Sequence, residues 1–183
     1  AEVSARTREL RNQKEALEAT AEALATANAK LKTLSVIDPL TGLPNRRELI
    51  ERIVGLLRAS PRPSLALGVI DLDQFKRIND EYGHLAGDAV LRDFAEVAGS
   101  QMQRLECVGR WGGEEFLVLL PDADAQAAQG WADELLARVR SRRVRTSNGV
   151  VSYRISIGLA LANADDDMDA LVARADSALY AAK

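Results

Sequence analysis

The feature that most constrains the fold is the stretch at 110–116, Arg-Trp-Gly-Gly-Glu-Glu-Phe, which has an apolar run on each side. Residues 107–111 and 115–120 are each short and apolar enough for a β-strand, and Pro121 ends the second run. Two glycines between such runs predict a tight hairpin, because glycine readily takes the positive φ that such turns need. Glycines also let another backbone or a phosphate approach closely. The hairpin would carry Glu114 and Glu115, although solvent-facing acids on an ordinary hairpin are the alternative.

A second acidic cluster follows the apolar run at 64–70, which is bounded by prolines on one side and acids on the other. This pattern predicts a buried strand whose end delivers Asp71 and Asp73. Carboxylates from a strand end and from a hairpin turn would suit Mg²⁺, which takes oxygen ligands and shares them with substrate phosphates. Neither cluster decides the function alone, and further motifs in the sequence are needed to interpret them.

Four segments occur in a characteristic order: Asp-Pro-Leu-Thr-Gly-Leu-Pro-Asn-Arg-Arg at 38–47, Asp-Leu-Asp-Gln-Phe-Lys-Arg-Ile-Asn-Asp at 71–80, Gly-His-Leu-Ala-Gly-Asp at 83–88, and Gly-Gly-Glu-Glu-Phe at 112–116. Together they resemble the GGDEF family of diguanylate cyclases, from about residue 35 to the end of the sequence. The resemblance implies condensation of two GTP into cyclic di-GMP and two pyrophosphate. It also implies a fold similar to the palm of nucleotidyl cyclases and polymerases.

The resemblance assigns a metal site to the two acidic clusters. Asp71, the backbone carbonyl of Leu72 and Glu114 would bind Mg²⁺ or Mn²⁺, which bridges the phosphates and the attacking oxygen. Glu114 is also the family's candidate proton acceptor, and Glu115 would support the same cluster. The chemistry is phosphoryl-type transfer, in which positioning and charge neutralisation matter most.

Other positions match the family's contacts with the triphosphate. Gly112 and Gly113 would leave room for the nucleotide. Lys76 opens a short helix, where backbone N–H groups already favour anions, so it would stabilise phosphate charge there. Lys183 matches a phosphate-binding lysine, but the arginine that usually follows one turn later is beyond the sequence, so weaker triphosphate binding is expected.

Guanine recognition is assigned to Asn79 and Asp88, which occupy the family's guanine-contacting positions. Guanine offers two adjacent N–H donors that a carboxylate can accept, whereas adenine does not, so GTP is the expected substrate and an ATP-using cyclase is disfavoured. His84, the single histidine of the chain, lies between them in sequence. It is either a further substrate contact or a helix-turn residue without a ligand.

One departure from the family concerns product inhibition. Many members carry an Arg-x-x-Asp product site whose aspartate lies six residues before the first glycine of the turn. Gln103 and Glu106 stand at those two positions here. Glutamine lacks the planar bidentate charge of arginine, so we expect this site to be lost or displaced.

The first 34 residues contain neither glycine nor proline and repeat an apolar residue every seven positions, at Val3, Leu10, Leu17, Leu24 and Leu31. This spacing predicts a coiled coil and therefore a homodimer. A coiled coil needs apolar residues at both the a and d positions of each heptad, and the leucines fill only one of the two. The other position is mostly polar or small in either register, so a lone solvated helix is the alternative. The predicted organisation is a dimerisation and signalling helix at 1–34, a linker at 35–44 and a catalytic domain at 45–183. Because the sequence opens within the helical pattern, an upstream sensor domain is expected.

Composition excludes several classes of function. The chain has 183 residues, 47% of them hydrophobic, and a formal net charge of −3, which gives no case for a nucleic-acid surface. One cysteine fits a reducing compartment. No apolar run approaches the roughly 18 residues of a membrane span and no secretory signal is visible, so a cytoplasmic location is predicted.

The order of helices and hairpins predicts an α/β fold with a mixed, mainly antiparallel sheet and flanking helices, preceded by the long coiled-coil helix. Helices are expected over 75–82, from 85 to about 102, over 125–140 and over 168–183, and one strand is expected over 151–159. Two functions remain open: an active cyclase as the output of a sensor protein, and a catalytically silent nucleotide-binding or dimerisation module. The intact acids and glycines of the turn favour the active cyclase.

Overall fold

The computed structural model describes residues 36–61, 63–103 and 106–183, and eight positions of the first 35. The chain divides into two compact units, Ala1–Ser35 and Val36–Lys183. The eight described positions of the first unit are α-helical, and Leu17 among them is 70% exposed. The heptad pattern that predicts a coiled coil lies mainly outside the described residues. No helix in the described part of the chain is long and apolar enough to cross a bilayer.

The second unit alternates helices with short strands. Its elements are α1 (Arg46–Arg58), β1 (Leu65–Leu72), α2 (Phe75–Tyr82), α3 (His84–Gly99), β2 (Cys107–Gly112), β3 (Glu115–Pro121), α4 (Ala125–Arg140), β4 (Val144–Thr146), β5 (Gly149–Val151), β6 (Ile155–Leu161) and α5 (Met168–Ala182). The main sheet has the strand order β2-β3-β1-β6, while β4 and β5 form a separate ribbon. Each neighbouring pair is antiparallel, which confirms the predicted α/β class.

Helices cover both faces of the main sheet. Ile70 and Leu72 of β1 join one apolar cluster with side chains of α2, α3 and α4. Leu67 and Val69 of the same strand join a second cluster with side chains of α1 and α5. A central strand that is buried on both faces has an almost continuous apolar sequence, as residues 64–70 do. Asp71 interrupts that run at the end of the strand.

Most predicted elements match the structure, and α2 and α4 have the predicted bounds. The single strand predicted over 151–159 is wrong: β5 ends at Val151 and pairs with β4, whereas β6 begins at Ile155 and pairs with β1. Val151, Tyr153 and Ile155 are all buried in the same apolar cluster. Their alternation therefore continues through the break, and a hydrophobic pattern cannot reveal it.

Candidate active site

The hairpin turn consists of Gly113 and Glu114, one residue later than the predicted turn at the two glycines. Strand β2 ends at Gly112 and β3 begins at Glu115, which leaves Gly113 and Glu114 as the turn. The register shifts between Arg110 and Gly112, so the hairpin contains a bulge. Gly113 has a φ of 54°, whereas Gly112 has no positive φ. A Cβ added to either glycine would meet no atom within 4 Å, so the space beside the turn is open.

Arg110 holds this turn to the segment before α1. Its Nε and one terminal nitrogen donate to the carbonyl oxygen of Gly113 at 3.1 and 2.8 Å. The other terminal nitrogen lies 3.3 Å from both carboxylate oxygens of Asp38. Asp38 also accepts hydrogen bonds from the backbone and hydroxyl of Thr41 at 2.9 and 2.7 Å. The Asp38–Arg110 pair therefore ties the turn to residues far away in sequence.

The strand register brings the two predicted acidic clusters together. Asp71 on β1 lies directly opposite Glu115 on β3, and directly opposed residues project from the same face of a sheet. The N–H of Leu72 donates to the carbonyl oxygen of Glu114 at 3.3 Å, which fixes the turn beside the end of β1. The carboxylates of Asp71, Glu114 and Glu115 thus lie together where β1 ends and β3 begins.

Lys183 completes this cluster from the end of α5. Its ammonium nitrogen lies 2.7 Å from Oδ1 of Asp71, whose side chain is only 13% exposed. The hydrogen bond to Asp71, and the negative charges of Asp73 and Glu114 beside it, raise the pKa of Lys183. The lysine is therefore held in its charged form against the acids.

The raised pKa of Glu115 indicates an excess of negative charge at this end of the strands. Burial raises its pKa first, and the charges of Asp71, Asp176 and Glu114 raise it further, outweighing the attraction of Lys183. One lysine does not neutralise these acids. A site with this imbalance favours an additional cation.

The donor set fits Mg²⁺. In the described part of the chain, no group of three His, Cys, Asp or Glu side chains is placed to hold a metal ion unaided. Mg²⁺, however, is usually held by one or two carboxylates, with waters and substrate phosphates completing its octahedron. Asp71 and Glu114 supply such oxygens, and Mn²⁺ accepts the same ligand types. The carbonyl oxygen of Leu72 as a further ligand stays a prediction.

A second group of predicted residues lies on α2 and α3. Gly87 of α3 is buried, and a Cβ added there would lie 2.0 Å from Oδ1 of Asn79. Asn79 therefore rests directly against the helix that carries Asp88, the other predicted guanine contact. His84 and Lys76 are exposed at the first and second positions of their helices, so the structure leaves both free to meet a ligand.

The turn between β1 and α2 has an unusual backbone. Gln74 has a φ of 55° and a ψ of 32°, in the left-handed region, and its side chain makes no capping hydrogen bond. The backbone N–H of Asp73 donates to the carbonyl oxygen of Arg154 at 2.9 Å, and its side chain accepts from the hydroxyl of Ser156 at 2.7 Å. Residues in such rare conformations, held in place by anchored neighbours, cluster at ligand-binding turns.

Several residues that organise the site have no role predicted from the sequence. Asp38 and Arg110 belong to sequence motifs that do not predict their pairing, and no motif contains Ser156 or Asp176. The motif at 38–47 is the one available signal, because an acid next to a turn suggests a capping or pairing role. Nothing in the sequence pattern indicates which arginine that acid meets.

The residues at the predicted product-site positions bond to one another. The N–H of Gln103 donates to Oε2 of Glu106 at 2.8 Å, and the N–H of Glu106 donates to the carbonyl oxygen of Gln103 at 3.1 Å. The two residues between them lie outside the described part of the chain. The carboxylate of Glu106 therefore already accepts a hydrogen bond from the backbone of its own loop.

Comparison with known proteins identifies the family. A profile described as "Diguanylate cyclase, GGDEF domain" matches residues 35–183, and the chain therefore belongs to the GGDEF family. Diguanylate cyclase DgcP of Pseudomonas aeruginosa is 36% identical over 184 residues, covering 100% of this chain and 27% of that protein. Diguanylate cyclase DgcZ of Escherichia coli is 36% identical over 149 residues, covering 81% of this chain and 50% of that protein. The chain thus spans half or less of the length of these two relatives.

Solved structures agree with this assignment. The crystal structure of diguanylate cyclase SiaD in complex with its activator SiaC, from Pseudomonas aeruginosa, has a TM-score of 0.78 and 36% identity to this chain. The match covers 97% of this chain and 69% of the SiaD chain. The sheet and its flanking helices are therefore those of GGDEF domains.

Proposed function

We propose that this chain is a diguanylate cyclase, which joins two GTP molecules into cyclic di-GMP and releases two pyrophosphates. The observation that carries the proposal is the meeting of Asp71 with Glu115 in register, next to the turn residue Glu114. Family membership supports the same reaction. A catalytically silent module would be expected to lack one of these acids or a glycine of the turn.

In each of the two condensation steps, the 3′-oxygen of one GTP attacks the α-phosphorus of the other. A new P–O bond forms, the bond to the β-phosphate breaks, and pyrophosphate leaves. Glu114, at the tip of the turn beside open space, accepts the proton of the attacking hydroxyl. A divalent ion held by Asp71, Glu114 and the carbonyl of Leu72 would supply neutralisation of phosphate charge when bound.

The remaining residues bind and orient GTP. Lys183 exchanges its partner Asp71 for phosphate oxygens, and Lys76 approaches the phosphates from the first turn of α2. Asp88 and Asn79 accept and align the guanine edge. ATP is rejected because these partly buried acceptors would be left unpaired against adenine.

Two facing domains are needed, because each GTP attacks the other. The proposed assembly is a homodimer formed through the helix at 1–34, followed by a linker at 35–44 and the catalytic domain at 45–183. An upstream sensor domain would control how the two catalytic domains face each other. A cytoplasmic location belongs to the same proposal.

The test is product identification by mass spectrometry after incubating the chain with GTP and Mg²⁺. Cyclic di-GMP is expected with GTP, and no cyclic dinucleotide is expected with ATP. Glu114→Gln keeps the shape of the side chain but removes its charge, and should reduce turnover by about 100-fold or more. Glu134→Gln, an exposed change on α4, is the matched control and should retain the rate. GTP binding without turnover by the unaltered chain would favour the silent module instead.

A further inference from the structure

A large groove runs from the acidic site along the second unit. Its volume is about 1220 Å³. One wall is α2, and the other is formed by the C-terminal end of α4 and residues 151–156. Asp73 and Lys183 line it as well, so the groove opens next to the proposed site of bond cleavage. The predicted nucleotide contacts Asn79 and Asp88 do not line it.

The groove has a charge opposite to that of the protein. Five cationic side chains line it, from Arg77, Arg140, Arg143, Arg154 and Lys183, against the two carboxylates of Asp73 and Glu81. The local balance is therefore +3, whereas the whole chain carries −3. A concave surface lined by one sign of charge focuses the field and concentrates ions of the other sign.

Three of these arginines have no carboxylate partner among the described residues. Arg77 lies 3.7 Å from Glu81, but Arg140, Arg143 and Arg154 are exposed and form no ion pair in the described part of the chain. Arg143 donates to the carbonyl oxygens of Arg140 and Arg142 at 3.3 and 2.7 Å, which restrains its guanidinium. Guanidinium groups that line a groove without a carboxylate partner are suited to bidentate contacts with phosphate.

The lining favours phosphate over a nucleobase. Of the two tyrosines in the groove, Tyr153 is 4% exposed and its hydroxyl donates to Asp93 at 2.8 Å. Its ring is therefore not available for stacking. Tyr82 is half-buried and is the other aromatic ring in the lining, so stacking has at most one platform there. A compact oligophosphate, by contrast, can contact several arginines at once.

We infer that this groove binds inorganic pyrophosphate and receives it as it leaves the acidic site. The inference rests on the proposed function for the source of the pyrophosphate. Lys183 stands at the junction, because it pairs with Asp71 of the acidic site and lines the groove. Departing pyrophosphate can thus pass from Lys183 to the arginines of the groove, which hold it away from the newly formed bond and so lower the chance of the reverse reaction.

Binding is tested without turnover, by calorimetric titration of the whole chain with sodium pyrophosphate in low salt and without GTP. The double variant Arg140→Gln and Arg154→Gln should weaken binding at least tenfold. Arg92→Gln, an exposed arginine of α3 outside the groove, is the charge-matched control and should bind as the unaltered chain does. Circular dichroism verifies that all variants are folded. Raising the salt concentration should weaken binding, since the contacts are ionic.

Several outcomes overturn the inference. No binding by the unaltered chain, or equal binding by the double variant, removes the groove as a pyrophosphate site. Loss on Lys183→Gln with no loss in the double variant places the anion at the acidic site alone. Cyclic di-GMP that binds through Arg140 and Arg154 more tightly than pyrophosphate would replace the oligophosphate assignment. Arginine-dependent binding of pyrophosphate by a chain that makes no cyclic di-GMP would contradict only the proposed function.

Discussion

The contact between Gly87 and Asn79 shows how one missing side chain shapes a site. A Cβ at Gly87 would lie 2.0 Å from Oδ1 of Asn79 and 3.1 Å from a ring carbon of Phe75. The amide end of Asn79 would have to move, while the backbone of α3 need not. Gly87→Ala should therefore raise the KM for GTP at least fivefold with a folded protein, as measured by initial rates over a range of GTP concentrations.

Gly130→Ala is the control for this change. Gly130 is also within a helix, but nothing lies within 4 Å of an added Cβ. The substitution should leave KM unchanged and raise the free energy of unfolding by about 0.5–1 kcal/mol, because alanine loses less entropy in a helix than glycine. An unaltered KM in Gly87→Ala would mean that Asn79 does not contact GTP.

Asp38 offers a prediction for stability and its pH dependence. The Asp38 and Arg110 side chains are 17% and 18% exposed, so solvent screens their pair little. Burial alone would raise the pKa of Asp38, but the hydrogen bonds from Thr41 and the charge of Arg110 outweigh it and lower the pKa. Asp38→Asn should reduce the free energy of unfolding by about 1–3 kcal/mol at pH 7, measured by urea denaturation.

The sign of the pH effect follows from the lowered pKa. The folded state holds the ionised form more strongly than the unfolded state, so this stabilisation is complete above the ordinary aspartate pKa of about 3.9 and is lost as the pH falls through the lower folded value. The difference between the unaltered chain and Asp38→Asn should therefore be constant from pH 7 to about 5 and shrink below about 4. A difference that shrinks instead between pH 7 and 5 would exclude Asp38 as its source.

At the scale of elements, the position of α5 depends on a close approach to β6. A Cβ at Gly158 of β6 would lie 2.1 Å from the backbone nitrogen of Leu179 and 2.2 Å from the carbonyl oxygen of Ala175. Both atoms belong to the helix backbone, so the helix itself would have to move. Gly158→Ala should lower the free energy of unfolding by about 1–3 kcal/mol and reduce cyclase turnover, because α5 carries Asp176 and leads into Lys183.

Gly55→Ala is the matched change for this prediction, since Gly55 is exposed on α1 with nothing within 4 Å of an added Cβ. Denaturation and initial rates should both show no loss for it. A Gly158→Ala protein of normal stability would mean that β6 and α5 can separate without cost.

Local pattern predicts elements well and their partners poorly. Helical spacing of apolar residues predicts α4, and the turn at Gly83 marks the end of α2, because both signals are local to the segment. The pairing of Arg110 with Asp38 spans 72 residues, and the contact of Lys183 with Asp71 joins the C-terminus to β1. Such contacts depend on strand order, which hydrophobic periodicity does not contain. The strand and hairpin patterns point to the acids of the site and the resemblance to the GGDEF family assigns their roles, but neither points to the roles of Arg110, Ser156 or Asp176.

At the scale of the whole molecule, the proposed catalysis by facing domains would make the rate depend on association. If the seven-residue repeat forms a dimer, the rate per chain should stay constant over moderate dilution and fall once the concentration drops below the dimer Kd. The substitutions Leu17→Lys and Leu24→Lys would place charge in the apolar seam of the coiled coil. They do so whether the leucines are a or d positions, because both positions face the partner helix. The substitutions Glu15→Lys and Glu22→Lys provide the control, because these two positions lie outside the seam in both registers.

The Leu17→Lys and Leu24→Lys protein should sediment as a monomer at micromolar concentration, and its rate per chain should be at least tenfold lower than that of the Glu15→Lys and Glu22→Lys protein. Raising the protein concentration should restore its rate, because encounter of two GTP-loaded domains replaces the lost tether. Analytical ultracentrifugation and initial rates on the same samples provide the measurement. If the leucine variant is a monomer whose rate is undiminished and independent of concentration, one domain completes the reaction alone. If both variants are dimers, the association surface lies outside the repeat.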